Sequence, residues 1–510
     1  MRVTNSMISN SAQSHIGNAK SSLLKYEEQF TSEKKIQRPS DDPTVAVRAL
    51  KYRSTVSQIT QYVEKNVKDA MSWMDTTESA LKNINSVLVD MKGYLNQGAN
   101  DYLAQDERNS VLSVLKQYVS SIFEDEANSD YSGRYVFTGY RTDTSLLFSE
   151  ATKNLTYDIK ENFKYTDIGT VNVVTGNVTY QDGNSAQDYA DQMTKIKKQS
   201  FYKIQLAYKN CSKASYASVK GGTNTQENYV TLTSSYKNAA GQSVTKTYNT
   251  VTRASSDANA YDVGDDEVIY LYDTGEVLVG KNVYGELQEN QAEFQVNYCK
   301  SEFDKSDIRP EMYFECQSYN QVSKKEITYS DPAEQTIKYE VNFSQNMTVN
   351  TQGMDAIDTD IYRTIDYLAN VINDVDDVEK RISDADKMIA NCKDPAEKKN
   401  LEAYKESLET ERSLRVTVMT EAFGKGLSMV DKAQEKLNVA VADLGTRYSR
   451  VKLTYDKLSD QKVDVEEQLS NNEDVNISDA YINMTQADNL YQYALTATSK
   501  ILGNTLLDYI

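Results

Sequence analysis

The chain has 510 residues and carries 75 acidic against 56 basic side chains, a net charge of −19. That balance leaves no basic stripe of the kind that nucleic acid or an anionic membrane surface recruits, so neither is expected as a partner. With four widely spaced cysteines, a single histidine (His15) and no apolar run of about 18 residues, a zinc site and a membrane span are excluded as well.

From the N-terminus, Ile8, Ala12, Ile16, Ala19, Leu23, Tyr26 and Phe30 recur at steps of three and four, one stripe of a helix over 5–37. "RPSDDP" follows, holding two of the five prolines. Pro39 lacks an N–H and disfavours helix at Arg38, so the first helix is expected to stop there. Asp42 can cap the next helix with Pro43 in its first turn, and Asp41 and Asp42 both suit the positive end of a helix. Pro39, Ser40, Asp41, Asp42 and Pro43 therefore read as a stop, a cap and a restart. Beyond them Val45, Ala49, Tyr52, Val56, Ile59, Val63, Val67, Ala70, Met74 and onward to Leu95 keep the same spacing for seven heptads, a coiled-coil seam about 80 Å long if helical throughout. "NQGAND" ends it, and Leu112, Leu115, Val119 and Ile122 mark another helix.

The composition changes after "GRYVFTGY", residues 133–140, which holds Gly133, Arg134, Tyr135, Phe137, Gly139 and Tyr140. From 148 to 350 short Val-, Thr- and Tyr-rich runs separated by Gly, Asn and Asp predict hairpins. Residues 188–210 read as a helix leading into a strand, and "YDTGEV" as a hairpin turn rather than half of an aspartic-protease pair. Helical periodicity returns near Asp358. Asp394-Pro395 predicts a turn capped by the aspartate inside a charged helical hairpin near 380–415. Phe423 through Leu458 repeat the seam, and Ile477, Tyr481, Met484, Ala487, Tyr491 and Ile501 form a last stripe. No phosphate loop, zinc-protease motif or nucleophile elbow occurs, so no enzymatic activity and no cofactor are expected.

The plan is mainly α with a β-rich insertion. An apolar seam cannot stay in water, and the simplest partner for the N-terminal seam is the C-terminal one; two separate coiled-coil dimers are the alternative. The chain would leave and return along one coiled-coil rod with the β domain at its outer end. The expected divisions are 1–40, 41–147, 148–350, 351–465 and 466–510. "RPSDDP" before a long heptad helix, "GRYVFTGY" opening a β insertion, "MRVTNSMISNSAQ" at the start and a returning C-terminal coiled coil together resemble the flagellin family. Filament subunits of that family carry an arginine-isoleucine-asparagine-serine-alanine-lysine-aspartate-aspartate-type segment where this chain has "IQRPSDDP", which favours the member that joins hook to filament over the filament subunit. The resemblance implies an extracellular flagellar structural protein, exported unfolded without a Sec signal and accompanied by an export chaperone. It implies self-association in a ring between a hook-associated protein and flagellin. It also implies that the terminal helices, with Ile8, Ile16, Leu23, Tyr26, Phe30, Tyr481, Met484, Tyr491 and Ile501, carry the assembly contacts. An enzyme or binding module in the insertion is the reading from another class.

Overall fold

The computed structural model describes residues 5–100, 103–237, 242–257, 259–330, 332 and 335–502. Helices form the two ends of the chain: α1 (Asn5–Ser32), α2 (Pro43–Gln61), α3 (Val67–Gly98) and α4 (Gln105–Ser120) before the strands. Short helices α5 (Ala186–Lys195), α6 (Tyr216–Gly221), α7 (Lys281–Glu289), α8 (Pro310–Tyr313) and α9 (Gly353–Ala356) punctuate the middle. Long helices α10 (Asp360–Asn391), α11 (Pro395–Glu473) and α12 (Ile477–Leu502) follow. Two compact units result. One holds residues 1–71, 339–347 and 449–510; the other holds 72–338 and 348–448.

In the first unit, α2 and the end of α11 run antiparallel. Asn472 Nδ2 donates to the Val45 carbonyl at 3.0 Å, and Lys462 Nζ meets Glu64 Oε1 at 2.9 Å. Between them the seam residues Ala46, Ala49, Ile59, Val63 and Val67 of the N-terminal side, and Val451 and Leu458 of α11, are buried. A π-turn at Tyr62–Asn66 interrupts the N-terminal helix, with the Val67 N–H reaching back to the Tyr62 carbonyl. The extra residue turns two side chains onto a two-stranded ribbon, β13 (Lys338–Asn342) and β14 (Gln345–Thr348). Tyr62 Oη donates to Glu340 Oε1 at 2.9 Å, Asn66 Nδ2 donates to the Glu340 carbonyl at 3.0 Å, and the Tyr62 ring lies edge-on to Phe343.

The second unit has its own antiparallel seam. Gln434 Nε2 donates to Asn85 Oδ1 at 2.8 Å, and Lys92 pairs with Asp431 at 2.5 Å. A Cβ at Gly98 would fall 2.3 Å from the Phe423 ring, so glycine lets the end of α3 close onto α11. Asp394 accepts from the Ala396 N–H at 3.1 Å and Pro395 opens α11, which is the turn and cap the sequence predicts. The C-terminal seam therefore returns along the N-terminal one in each unit, and separate coiled coils are not needed to bury it.

The strands of this unit are β1 (Asp130–Tyr131), β2 (Arg134–Tyr135), β3 (Leu155–Lys164), β4 (Gly169–Thr175), β5 (Lys197–Gln205), β6 (Thr231–Lys237), β7 (Ser243–Arg253), β8 (Val268–Leu271), β9 (Glu276–Val279), β10 (Glu293–Lys300), β11 (Glu315–Asn320) and β12 (Glu326–Tyr329). The first two make a small hairpin. The other ten form one sheet in the order β12-β11-β3-β10-β6-β7-β8-β9-β5-β4. Every neighbouring pair is antiparallel except β7 and β8, where Val251 stands opposite Ile269. "YDTGEV" is the β8–β9 turn, with Leu271 opposite Glu276 and Gly275 at φ +69°. Strands β8 and β9 are buried along their whole length. On one face Tyr270 and Val277 join Ile159, Ile204, Leu232, Val296 and Tyr298; on the other Ile269, Leu271 and Leu278 are covered by Ala260, Tyr261 and Val263.

The insertion does not stand apart from its flanking helices as the boundaries at 148 and 350 would have it. Arg363 of α10 pairs with Glu161 of β3 at 2.9 Å inside the unit, both side chains 6 % exposed. Glu411 of α11 is fully buried, pairs with Arg381 of α10 at 2.8 Å and Arg415 at 2.9 Å, and accepts the Val178 N–H at 3.0 Å. A buried carboxylate with two guanidinium partners is costly to dismantle from one side, because the arginines then remain in the interior without it. We expect Glu411→Ala to lower unfolding stability by about 3–5 kcal/mol in urea titrations of the full chain. A loss under about 1 kcal/mol would show that water replaces the carboxylate at little cost.

Candidate assembly interface

The ends of the chain meet in the first unit. α1 and α12 pack antiparallel, with the Phe30 ring 5.9 Å from that of Tyr481. Small residues make the closest approach: Ala12, Ala480 and Ala487 are buried. Ile16, Leu23, Tyr26, Phe30, Met484 and Tyr491 are half-buried, so this part of the sequence stripe serves the pairing of the two helices. Ile8 and Tyr481 remain exposed, and Ile501 lies in the last turn of α12 with its side chain outside the described residues. Several exposed apolar side chains are ones the stripe omits. Leu24 is 48 % exposed, Ile482 51 %, Leu490 63 % and Tyr493 69 %. The spacing of three and four marks the buried face of a helix and is silent about a second, sparser apolar face on its far side.

Helix α1 ends at Ser32, seven residues before the proline expected to stop it. Tertiary pairing sets this end. Glu33 turns to φ +60°, the Val475 N–H donates to its carbonyl at 2.9 Å, and the Lys35 N–H donates to the Glu473 carbonyl at 2.7 Å. The chain leaving α1 thus forms a short antiparallel ladder with the chain between α11 and α12, with Lys34 opposite Asp474. Side chains close it into a clasp. Glu473, 7 % exposed, pairs with Lys34 and with Arg53 of α2 at 2.7 Å each, while Lys34 also reaches Asp474. Burial pushes the Glu473 carboxyl up, but hydrogen bonds from Lys34 and Arg53 outweigh it and hold it below its ordinary value. The Lys34 ammonium does the same to Asp474, and Asp474 and Glu473 in turn raise Lys34. No motif marks these residues. Their only sequence signal is that a basic pair, Lys34-Lys35, and an acidic pair, Glu473-Asp474, stand at the two breaks in the helical pattern.

"RPSDDP" itself is a surface turn closed by the Asp41 N–H on the Arg38 carbonyl at 2.9 Å, with Pro39, Ser40 and Asp41 exposed. Asp42 caps α2 as expected, its Oδ1 accepting from Thr44 N at 2.9 Å and Val45 N at 3.2 Å, with Pro43 in the first turn. Asp41 faces the other way. It accepts from the Arg38 N–H at 2.9 Å and the Gln37 N–H at 3.1 Å, which hold its carboxyl below the usual range. One aspartate starts the helix and the other fixes the turn before it.

In the second unit, Ser132 and Gly133 take positive φ between β1 and β2. Arg134 stacks over the Trp73 ring, and Tyr135 donates its N–H to the Thr142 carbonyl at 2.8 Å. Phe137 is buried and its carbonyl takes the Gly353 N–H at 2.9 Å. Gly139 has φ +61°, and the exposed Tyr140 donates its N–H to Gln335 Oε1 at 3.0 Å. "GRYVFTGY" is therefore a packed corner that leads from α4 to the sheet. Among the described residues no cluster of His, Cys, Asp and Glu is arranged to hold a metal ion, and no helix is long and apolar enough to cross a membrane.

A pair of terminal helices drawn from opposite ends of one chain is the feature that the comparisons address. Residues 3–142 match the model of the bacterial flagellin N-terminal helical region, and residues 427–510 that of the C-terminal helical region. The matched regions are the two ends of the chain, each similar to a flagellin helical region. The flagellar hook-associated protein 3 of Escherichia coli K12 is 26 % identical over 153 residues, 30 % of this chain and 48 % of that protein. The flagellin of Salmonella rubislaw is 24 % identical over 190 residues, 37 % of this chain and 38 % of that protein. The chain thus spans half or less of the length of these relatives. A solved hook-associated protein from Vibrio parahaemolyticus, described as putative, aligns at a TM-score of 0.36 and 12 % identity, covering 85 % of this chain and 100 % of that one. The flagellin-type ends contain the clasp residues Lys34, Arg53, Glu473 and Asp474, whereas the ten-stranded sheet lies between the two matched regions.

Two outcomes follow from the clasp and the cap. Lowered carboxylates contribute stability above their ordinary values and lose it as pH falls through the lowered ones. A raised lysine contributes below its ordinary 10.5 and loses it as pH climbs through the raised value. Amide-exchange protection of α1 and α12 is therefore expected to be flat between about pH 5 and 9 and to fall on either side, and Glu473→Gln with Asp474→Asn should remove the acid limb. Asp42→Ala should cost about 1 kcal/mol, read as lost protection in the first turn of α2; unchanged protection there would mean that the turn, not the cap, starts the helix.

Proposed function

We propose that the protein is a structural adaptor of the bacterial flagellum that joins hook to filament. In this reading the chain is exported unfolded without a Sec signal, accompanied by a chaperone, and polymerises outside the cell as a ring between a hook-associated protein and the first flagellin subunits. The observation that carries it is the flagellin-type helix pair with small residues at its internal contact and Leu24, Ile482, Leu490 and Tyr493 facing outward. An apolar set of that size is unfavourable in water and is satisfied by neighbouring copies. The match to hook-associated protein 3 supports the junction over other positions in the structure. The match to flagellin supports a second reading, a divergent subunit of the filament itself.

Electron microscopy of cells lacking the gene, with flagellin assayed in the medium, separates the readings. Bare hooks with shed flagellin are expected for an adaptor; missing filaments without shed flagellin would identify the filament subunit, and normal filaments would overturn both. In vitro, Leu490→Asp with Tyr493→Asp should abolish self-assembly in light scattering while leaving the thermal transition of the unit 72–448 unchanged.

A further inference from the structure

The second unit contains a cleft unrelated to the terminal helices. It has a volume of about 660 Å³ and lies between the sheet, at β3, β4, β5 and β11, and the helices α10 and α11. Its walls combine two chemistries. Phe163, Val171, Phe314, Ile357 and Met429 make an apolar floor. Along α11, Lys425, Met429, Lys432 and Lys436 follow at steps of four, three and four, so three ammonium groups share the face that lines it. On a chain of net charge −19, six cations and five carboxylates line this cleft.

Most of those charges are already matched. Lys432 meets Asp167 at 3.3 Å, Lys160 meets Glu315 at 2.6 Å, and Lys203 meets Glu276 at 2.7 Å. Lys425 and Lys436 have no carboxylate within ion-pair distance among the described residues; Lys425 donates to the Thr170 carbonyl instead. Burial and the neighbouring Lys203 ammonium hold Lys425 below its ordinary range, outweighing the attraction of the Glu421 carboxylate. Two deeper donors also lack acceptors. Among the described residues the Tyr313 hydroxyl and the Arg363 Nε–H are buried without a hydrogen-bond partner, on residues 7 % and 6 % exposed that line the same cleft. A buried donor left unmade is costly. Against Lys425, Lys436 and these two donors, one cleft carboxylate, Asp358, has no ion pair among the described residues, and it already accepts the Asp360 N–H at 3.0 Å. The excess in the cleft is of donors and cations, which an acceptor with negative charge would meet; its floor accepts an apolar body.

We infer that this cleft binds a small amphipathic anion, an apolar chain or ring carrying one carboxylate, sulfate or phosphate group, with Lys425 and Lys436 as its charge partners. Two sources share that chemistry, a dissolved organic acid and the acidic headgroup of a lipid.

Isothermal titration of the full chain with dodecanoate below its micelle threshold is the test, with dodecyl maltoside as the uncharged comparison. One dodecanoate per chain is expected, with binding at least tenfold weaker in the Lys425→Glu, Lys436→Glu double variant. Met429→Trp, which fills the floor and leaves both charges, should abolish it. Far-ultraviolet circular dichroism establishes that each variant is folded. Absence of binding, equal affinity for the maltoside, or affinity unchanged in both variants would overturn the inference; the last would assign the uptake to apolar surface elsewhere. Once binding is seen, flotation with phosphatidylglycerol vesicles distinguishes the sources. Capture that the double variant loses identifies a membrane lipid, and no capture identifies a dissolved acid.

Discussion

A helix with one apolar face cannot remain alone in water, and residues 45–95 carry seven heptads of such a face. The partner it finds is its own other end. Val45 stands beside Asn472, Asn85 beside Gln434 and Gly98 beside Phe423, so α11 returns along the N-terminal seam within each unit. Once the two halves of the chain are held side by side, whatever joins them must begin and end close together. A sheet whose strands are supplied entirely between the two halves meets that condition, and its size is then free to vary. The ion pairs of Glu411 and Arg363 follow from the same arrangement, because helices committed to each other leave one side to cover the sheet.

The terminal helices repeat the theme with different side chains. Alanines at the α1–α12 contact let the backbones approach closely but bury little area, at roughly 25 cal/mol per Å² of apolar surface. The pair therefore leans on the clasp at its base, where the buried Glu473 collects Lys34 and Arg53 from two different segments. Larger apolar groups flank that contact half-buried, and others, Leu490 and Tyr493 among them, face outward. A helix pair built this way is ordered enough to present a surface and unsaturated enough to need one.

Local signals were legible and nonlocal ones were not. Spacing reveals the seams, the Asp42 and Asp394 caps behave as their chemistry requires, and the Asp-Thr-Gly turn is a turn because two short apolar strands, paired antiparallel, flank it. The end of α1 was misread because Pro39 is a sufficient reason for a helix to stop, while the actual reason, pairing with residues 473–475, lies 440 positions away. The parallel pairing of β7 with β8 was out of reach for the same cause, as was the sharing of a core by strands and helices. The π-turn at Tyr62 left the seam spacing intact, so nothing in the pattern marked it. On the terminal helices, periodicity marks the face that α1 and α12 bury against each other; the face it leaves out is visible only with exposure.

The distance between partners also sets an order of events. Lys34 and Asp474 enclose 440 positions of chain, and closing a flexible loop of that length costs on the order of 5 kcal/mol in entropy before any contact compensates it. The α3 part of the N-terminal seam has neighbours close in sequence, with Trp73 beside Tyr131 and Tyr94 beside Tyr118, but α1 and α2 meet theirs only in α12 and the end of α11. Topology thus works as a timer: α1 and α2 are held uncommitted until their distant mates are present, while α3 and α4 can settle sooner.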